Sequence, residues 1–228
     1  MNTIQKIITL GLLTVILNLL GCGEEKTTNQ NQNSTNIDSM NIVSFEEQFE
    51  TFNKLGFKLN TGTNISDVDR WGGHSEFEKE PYSLMYVTLG QSIEKEPWTP
   101  LTNKCLHFDT EAIEDHGSYI AILQNLERLS KGELKFENLK DYVDIESKKA
   151  WVSFTINGFK YKWDMKVDDD WVDTDLFLKV VELTNKFGTK GKFTYYNTGG
   201  QDAVIGYETP ETLEKIVNAT KLKIEWLN

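Results

Sequence analysis

The fold is decided by residues 150–165, which read AWVSFTINGFKYKWDM. On both sides of Asn157-Gly158 the residues alternate in character, which is the period of a β-strand. Asn-Gly between two such runs is the strongest short signal for a two-residue hairpin turn. We therefore expect residues 150–156 and 159–165 to form an antiparallel hairpin.

After this hairpin, helix and strand patterns follow one another in a regular order. A helix is expected over residues 173–187, where apolar residues recur on one face and Gly188 ends the pattern. A second hairpin is expected from residues 192–196 and 203–207, then a helix beginning at Pro210 and a closing strand through Trp226. From residue 159 onward this order is β-α-β-β-α-β, the split βαβ pattern of ferredoxin-like sandwiches. We expect an α+β fold with a mostly antiparallel sheet, helices packed on one face and an extra strand at 150–156.

Before the hairpin, the patterns predict further helices and strands. Ser44 and Glu47 have capping-box spacing, and the apolar residues that follow to Leu55 share one helical face. Residues 82–89 are an apolar, β-prone run, and we expect a strand there. Another strand is expected over residues 104–108, followed by helix over 110–131 with a break at Gly117.

The first 41 residues have a different character from the rest. Lys6 precedes an apolar run from residue 7 to residue 20, the layout of a secretory signal. The run is shorter than the roughly 20 residues that span a bilayer, which disfavours a transmembrane helix. Residues 23–41 carry almost no apolar side chains and are expected to be a polar, disordered tether. Residues 42–228 remain as a single globular α+β domain, with 42–148 and 149–228 as its possible lobes.

Leu19-Leu20-Gly21-Cys22 resembles the lipobox of bacterial lipoproteins, in which Gly or Ala precedes a cysteine that becomes lipidated. The resemblance implies that residues 1–21 are removed as a signal peptide and that Cys22 becomes a lipidated N-terminus. It also implies a place in the bacterial cell envelope, and Gly23 in place of Asp favours the outer membrane in a Gram-negative organism. An ordinary secretory peptide, which would leave Cys22 as a free thiol, is the alternative.

The charge and the cysteine count exclude some classes of function. The chain has 35 acidic and 24 basic residues, a formal charge of −11, so phosphate backbones would be repelled and nucleic acid is disfavoured. Such an acidic chain is suited to a cationic partner or a divalent cation. The only cysteines are Cys22 and Cys105, so lipidation of the first leaves no pair for an internal disulfide, and no disulfide-linked partner is expected.

One group of candidate metal ligands lies between residues 105 and 116. If residues 105–109 form a strand, Cys105, His107 and Asp109 project from one side of it, with His116 nearby in sequence. Thiolate, imidazole and carboxylate are zinc ligands, but neither HExxH nor paired CxxC is present. The alternative is that Asp109 caps the following helix and the histidines form ordinary hydrogen bonds.

Acidic residues are densest in the loop before the helix at 173. Asp168, Asp170 and Asp173 offer the hard oxygen ligands that calcium prefers. The EF-hand pattern fails, because the sixth position from Asp168 is not glycine and the twelfth is Lys179. An anionic start to the helix is the alternative reading.

Five of the six tryptophans divide by context. Trp71 and Trp98 lie in expected loops and are candidates for a binding surface. Trp151, Trp163 and Trp226 lie on expected strands and are assigned to the core.

These patterns favour a lipid-anchored, exported binding module for a protein partner over an enzyme. A small acidic domain on a tether would suit neutralisation of a basic toxin, which is an immunity-like role. The alternative class is a metal-dependent hydrolase built on Cys105, His107, Asp109 and His116. No cofactor is assigned, with zinc or calcium as the metals to test.

Overall fold

The structure, a computed structural model, describes residues 42–228. The expected signal sequence, Cys22 and the expected tether lie outside the described residues. The helices in this part are α1 (Phe45–Lys54), α2 (His74–Lys79), α3 (Ser83–Leu89), α4 (Ser118–Leu129), α5 (Asp175–Phe187) and α6 (Pro210–Thr220). The strands are β1 (Cys105–Asp109), β2 (Glu137–Asp144), β3 (Lys149–Ile156), β4 (Phe159–Met165), β5 (Lys192–Asn197), β6 (Asp202–Glu208) and β7 (Glu225–Trp226). No helix within residues 42–228 is long and apolar enough to cross a bilayer.

The strands form two antiparallel sheets, which confirms the α+β class. One sheet has four strands in the order β1-β6-β5-β7, and the other has three in the order β2-β3-β4. The order β-α-β-β-α-β is present from β4 to β7. These elements do not share a sheet, however, because β4 pairs with β3 across the tight hairpin turn while β5, β6 and β7 pair with one another. The single sheet of a ferredoxin-like sandwich is therefore not formed.

Two apolar clusters lie on opposite faces of the four-stranded sheet. Along β6, Ala203 and Ile205 belong to the cluster that includes α4, α5 and the three-stranded sheet. Val204, between them, belongs to the cluster that includes α1, α2, α3 and α6. Helices therefore cover both faces of this sheet, which corrects the expectation of helices on one face. Both clusters draw on residues before and after 148.

The hairpins and helix ends form where the local signals predict them. Asn157 and Gly158 both have positive φ, 51° and 79°, as a type I′ turn requires. Ser44 and Glu47 form the reciprocal capping box of α1. Gly188 ends α5 in the left-handed region, and Pro210 opens α6.

Two expectations about local structure are wrong, and one strand was missed. Residues 110–117 are not helical, because Thr110 and Ile113 pair with the loop before α5 and α4 begins only at Ser118. Residues 83–89 form helix α3, not a strand, since a short apolar run does not distinguish the two and packing decides between them. Tyr86 in this helix stacks on Phe52 of α1, with ring centroids 5.7 Å apart. Strand β2 was not expected at all, because it is an edge strand with polar residues at most positions and an irregular register between Glu137 and Lys140.

Candidate functional site

Two acidic segments that are far apart in sequence are joined by backbone hydrogen bonds. Ile113 donates its N–H to the carbonyl of Asp170 at 2.9 Å, and Val172 donates to the carbonyl of Thr110 at 2.8 Å. The turn after β1 therefore lies against the loop that precedes α5. We call the resulting surface the acidic face, and its carboxylates belong to Asp109, Glu111, Glu114, Asp115, Asp168, Asp169 and Asp170.

Most carboxylates of the acidic face have no cationic partner within residues 42–228. Lys166 forms an ion pair with Asp168 at 2.9 Å, and the His116 ring nitrogen lies 2.7 Å from the Asp115 carboxylate. Hydrogen bonds from the backbone and side chain of His116 hold the pKa of Asp115 below its usual value. Asp109 accepts hydrogen bonds from the Glu111 N–H and the Gln201 side chain, at 3.0 and 3.3 Å. A local negative potential follows from this arrangement.

An apolar cleft of about 430 Å³ opens beside the acidic face, between β1 and α4. Leu106 and Phe108 of β1 and Ile122 of α4 supply its apolar walls, and two alanines, Ala112 and Ala121, also line it. Glu114, Asp115 and His116 line the same cleft. We call it the β1–α4 cleft.

The wall formed by α4 is fixed in place by Asp141 of β2. Its carboxylate accepts the N–H groups of Gly117 at 2.8 Å, Tyr119 at 3.1 Å and Ile120 at 3.3 Å. These are donors of the first turn, which otherwise have no partner within the helix. A carboxylate there also interacts favourably with the helix dipole. Asp141 therefore connects the three-stranded sheet to the cleft.

The structure does not bring the four zinc candidates together. Cys105 is fully buried in an apolar cluster, and this burial raises the pKa of its thiol to about 12. Asp109 lies at the other end of the same strand. The four-residue separation corresponds to about 13 Å between the backbones of residues 105 and 109 in an extended chain. His107 pairs with Asp202 at 2.6 Å, and His116 pairs with Asp115. Among residues 42–228 there is no group of three or more His, Cys, Asp or Glu side chains placed to hold a metal ion.

The three calcium candidates have other roles in the loop before α5. The Asp173 carboxylate accepts the N–H of Lys166 at 2.7 Å and that of Asp175 at 3.1 Å. Asp168 pairs with Lys166, and the carbonyl of Asp170 takes part in the pairing with Ile113. This matches the interpretation of the run as an anionic start to the helix, since Asp173 satisfies an N–H of the first turn.

The tryptophans expected in loops are exposed, but they lie outside the β1–α4 cleft. Trp71 is 42% exposed and Trp98 is 58% exposed. Trp163 and Trp226 pack against the two apolar clusters, as expected for core residues. Trp151 does not, because it points to the outer face of the three-stranded sheet. There it stacks on Tyr142, and the Lys162 ammonium lies 4.6 Å from its ring centroid.

Comparisons of the chain with protein-family models, with curated proteins and with solved structures find no match. What this protein does is therefore inferred from its own residues. Sequence patterns identified both acidic segments, but the cleft residues Leu106, Ala121 and Ile122 were expected only as helix and strand positions. No local signal showed that β1 and α4 would leave a gap between them.

Proposed function

We propose that this protein is a lipid-anchored, exported bacterial binding module whose partner is a basic protein. The acidic face carries this proposal, because backbone pairing between residues 110–113 and 170–172 places two carboxylate-rich segments on one surface. Within this surface, Glu111, Glu114 and Asp169 form no ion pair with other described residues.

An uncompensated acidic surface accelerates association with a cationic protein and disfavours acidic competitors. The effect weakens with salt, because the Debye length falls to about 8 Å at physiological ionic strength. Neutralisation of a basic toxin is the form of this function that we favour, since a tethered domain at the cell envelope would meet incoming proteins there.

The anchor in this proposal rests on the lipobox resemblance at Leu19-Leu20-Gly21-Cys22. Two or more acyl chains would bind a membrane stably, whereas one chain binds only marginally. The variant Cys22→Ala is expected to appear in the soluble fraction of cells, while the parent protein sediments with membranes. Sedimentation of both proteins with membranes would contradict the anchor.

The partner is tested with a charge-matched pair of triple variants. The first carries Glu111→Gln, Glu114→Gln and Asp169→Asn, which remove three charges from the acidic face. The second removes the same number elsewhere, through substitution of three exposed glutamates by glutamine at Glu146, Glu182 and Glu214. The matched control separates local charge from total charge.

Immobilised full-length protein is expected to capture a basic protein from an extract of envelope and secreted proteins. Capture should fall at least fivefold for the acidic-face variant and stay near the parent level for the control. It should also weaken steeply between 50 and 300 mM salt, as for an exposed electrostatic contact. Equal capture by both variants, or an acidic captured protein, would overturn the proposal.

A further inference from the structure

The apolar walls of the β1–α4 cleft are part of the folded core. Phe108 and Ile122 belong to the cluster on that face of the sheet and are 7% and 5% exposed. Leu106 packs against the same cluster. The walls are therefore rigid, because moving them would disturb the core. Ala112 and Ala121 have small side chains, which leave room for an incoming group.

The rim of this cleft is negatively charged and held in a fixed conformation. The Ser118 hydroxyl accepts the N–H groups of Glu114 and Asp115 at 3.3 and 3.4 Å. The Asp115 carboxylate in turn accepts hydrogen bonds from the backbone and ring of His116. No lysine or arginine lines the cleft. The rim continues into the acidic face, so one site combines apolar walls with uncompensated negative charge.

Two other clefts among residues 42–228 lack this combination. The cleft at the end of β5 is lined by Lys221 and Lys223 as well as by Glu80 and Glu225, so its charges are mixed. The cleft along α1 has a lining of glutamates with Lys54, and it is more polar than apolar. Unlike these two clefts, the β1–α4 cleft favours both an apolar group and positive charge around it.

We infer that the β1–α4 cleft receives one large apolar side chain from a cationic segment of the partner. Lysines or arginines on both sides of that side chain then meet Glu114, Asp115 and the rest of the acidic face. This inference rests on the proposed function and names the partner's recognition element. Protein interfaces commonly have this anatomy, in which a desolvated anchor in a pocket supplies most of the affinity and a charged rim supplies orientation and rate.

The inference is tested with two synthetic peptides of equal charge. One has the sequence Lys-Lys-Gly-Phe-Gly-Lys-Lys, and the other has alanine in place of phenylalanine. Their affinities for the full-length protein are measured by isothermal titration at low salt. The phenylalanine peptide is expected to bind at least tenfold more tightly, which corresponds to about 1.4 kcal/mol.

Two substitutions in α4 test where the phenylalanine ring of the peptide binds. Ala121→Phe adds a ring within the cleft and is expected to abolish the preference for the phenylalanine peptide. Gln124→Phe adds the same ring to an exposed position of the same helix outside this cleft, and the preference should persist. Both sites are exposed, so neither variant disturbs the core.

The outcomes separate the inference from the proposed function. Equal binding of the two peptides, lost on neutralisation of the acidic face, would overturn the cleft as an anchor site but retain the charged surface. A phenylalanine preference that survives Ala121→Phe would also overturn it, since the ring would then bind elsewhere. Absence of binding by either peptide would overturn the inference, while the capture experiment tests the proposed function independently.

Discussion

The thiol of Cys105 shows how burial sets the chemistry of a single residue. Its sulfur is fully buried and lies 3.8 Å from the Thr102 hydroxyl and 3.9 Å from the Tyr86 carbonyl. Burial raises the pKa of the thiol to about 12, whereas an unfolded chain would ionise near pH 8.5. In the folded state the thiol therefore stays protonated at pH values at which it ionises in the unfolded chain. The stability that follows is complete below about pH 8.5 and is lost progressively as the pH rises toward 12.

This direction of the pKa shift predicts how stability changes in alkaline solution. Between pH 8 and 10 the free energy of unfolding should fall by roughly 1 to 2 kcal/mol more in the parent protein than in Cys105→Ala. Urea denaturation at both pH values measures this difference. The comparison stops at pH 10 because burial also raises the pKa of Tyr119 and Tyr195 to about 12. Above pH 10 these tyrosines also change the free energy of unfolding. Equal losses in the two proteins would contradict the prediction.

At the scale of single residues, the sequence predicted contacts that are short-range. Ser44 and Glu47 are three positions apart, and their mutual capping follows from spacing alone. Gln48 could not be predicted in the same way. Its buried amide donates to the Phe77 carbonyl and accepts the Tyr82 N–H, partners 29 and 34 positions away. Their approach depends on how α1, α2 and α3 pack.

At the scale of elements, helix α4 depends on an acceptor from another part of the chain. Asp141 lies on β2, 24 residues after Gly117, and satisfies three N–H groups at the start of the helix. Asp141→Ala is expected to lower the free energy of unfolding by about 1 to 2 kcal/mol, as for loss of a helix cap. Amide exchange at Tyr119 and Ile120 should accelerate as well.

The exposed Asp164 provides the control for this prediction. It lies on β4 in the same sheet and forms no side-chain hydrogen bond within the described residues, so Asp164→Ala should leave stability within about 0.5 kcal/mol of the parent. Asp141→Asn retains one acceptor oxygen and should show an intermediate loss. Similar losses in Asp141→Ala and Asp164→Ala, with unchanged exchange at α4, would show that the cap is not needed.

Elements were predictable where their signals are local and strong. The Asn157-Gly158 turn, the Gly188 stop and the Pro210 start are each set by the backbone preferences of one or two residues. Strand β2 lacks such a signal, because only one of its residues is fully buried and its pairing with β3 comes from the tertiary fold. Helix α3 was misassigned because its burial on nearly all sides removes the periodicity that distinguishes helix from strand.

At the scale of the whole molecule, the acidic face was beyond prediction from sequence. Each of its two segments is visible as a run of carboxylates, but their meeting depends on where β1 and β4 end relative to each other. Those strands belong to different sheets, so no register along the sequence relates them. The same separation explains why a single ferredoxin-like sheet was expected and two sheets form.

The four-stranded sheet also determines how the molecule should unfold. Its strands contribute alternate side chains to two apolar clusters, as Val204 and Ile205 show, so neither cluster can lose its sheet face without exposing the other. We therefore expect one cooperative transition for residues 42–228. Phe52 in one cluster and Phe154 in the other are 0% and 2% exposed.

Phe52→Leu and Phe154→Leu should each lower the same melting transition, at a cost of about 1 to 3 kcal/mol. Thermal denaturation followed by circular dichroism and by tryptophan fluorescence should give coincident curves for the parent and both variants. The double variant should show nearly additive losses, because the two rings have no shared partners. A variant in which one probe melts before the other would instead identify the two sides of the sheet as separate folding units, despite the strands that they share.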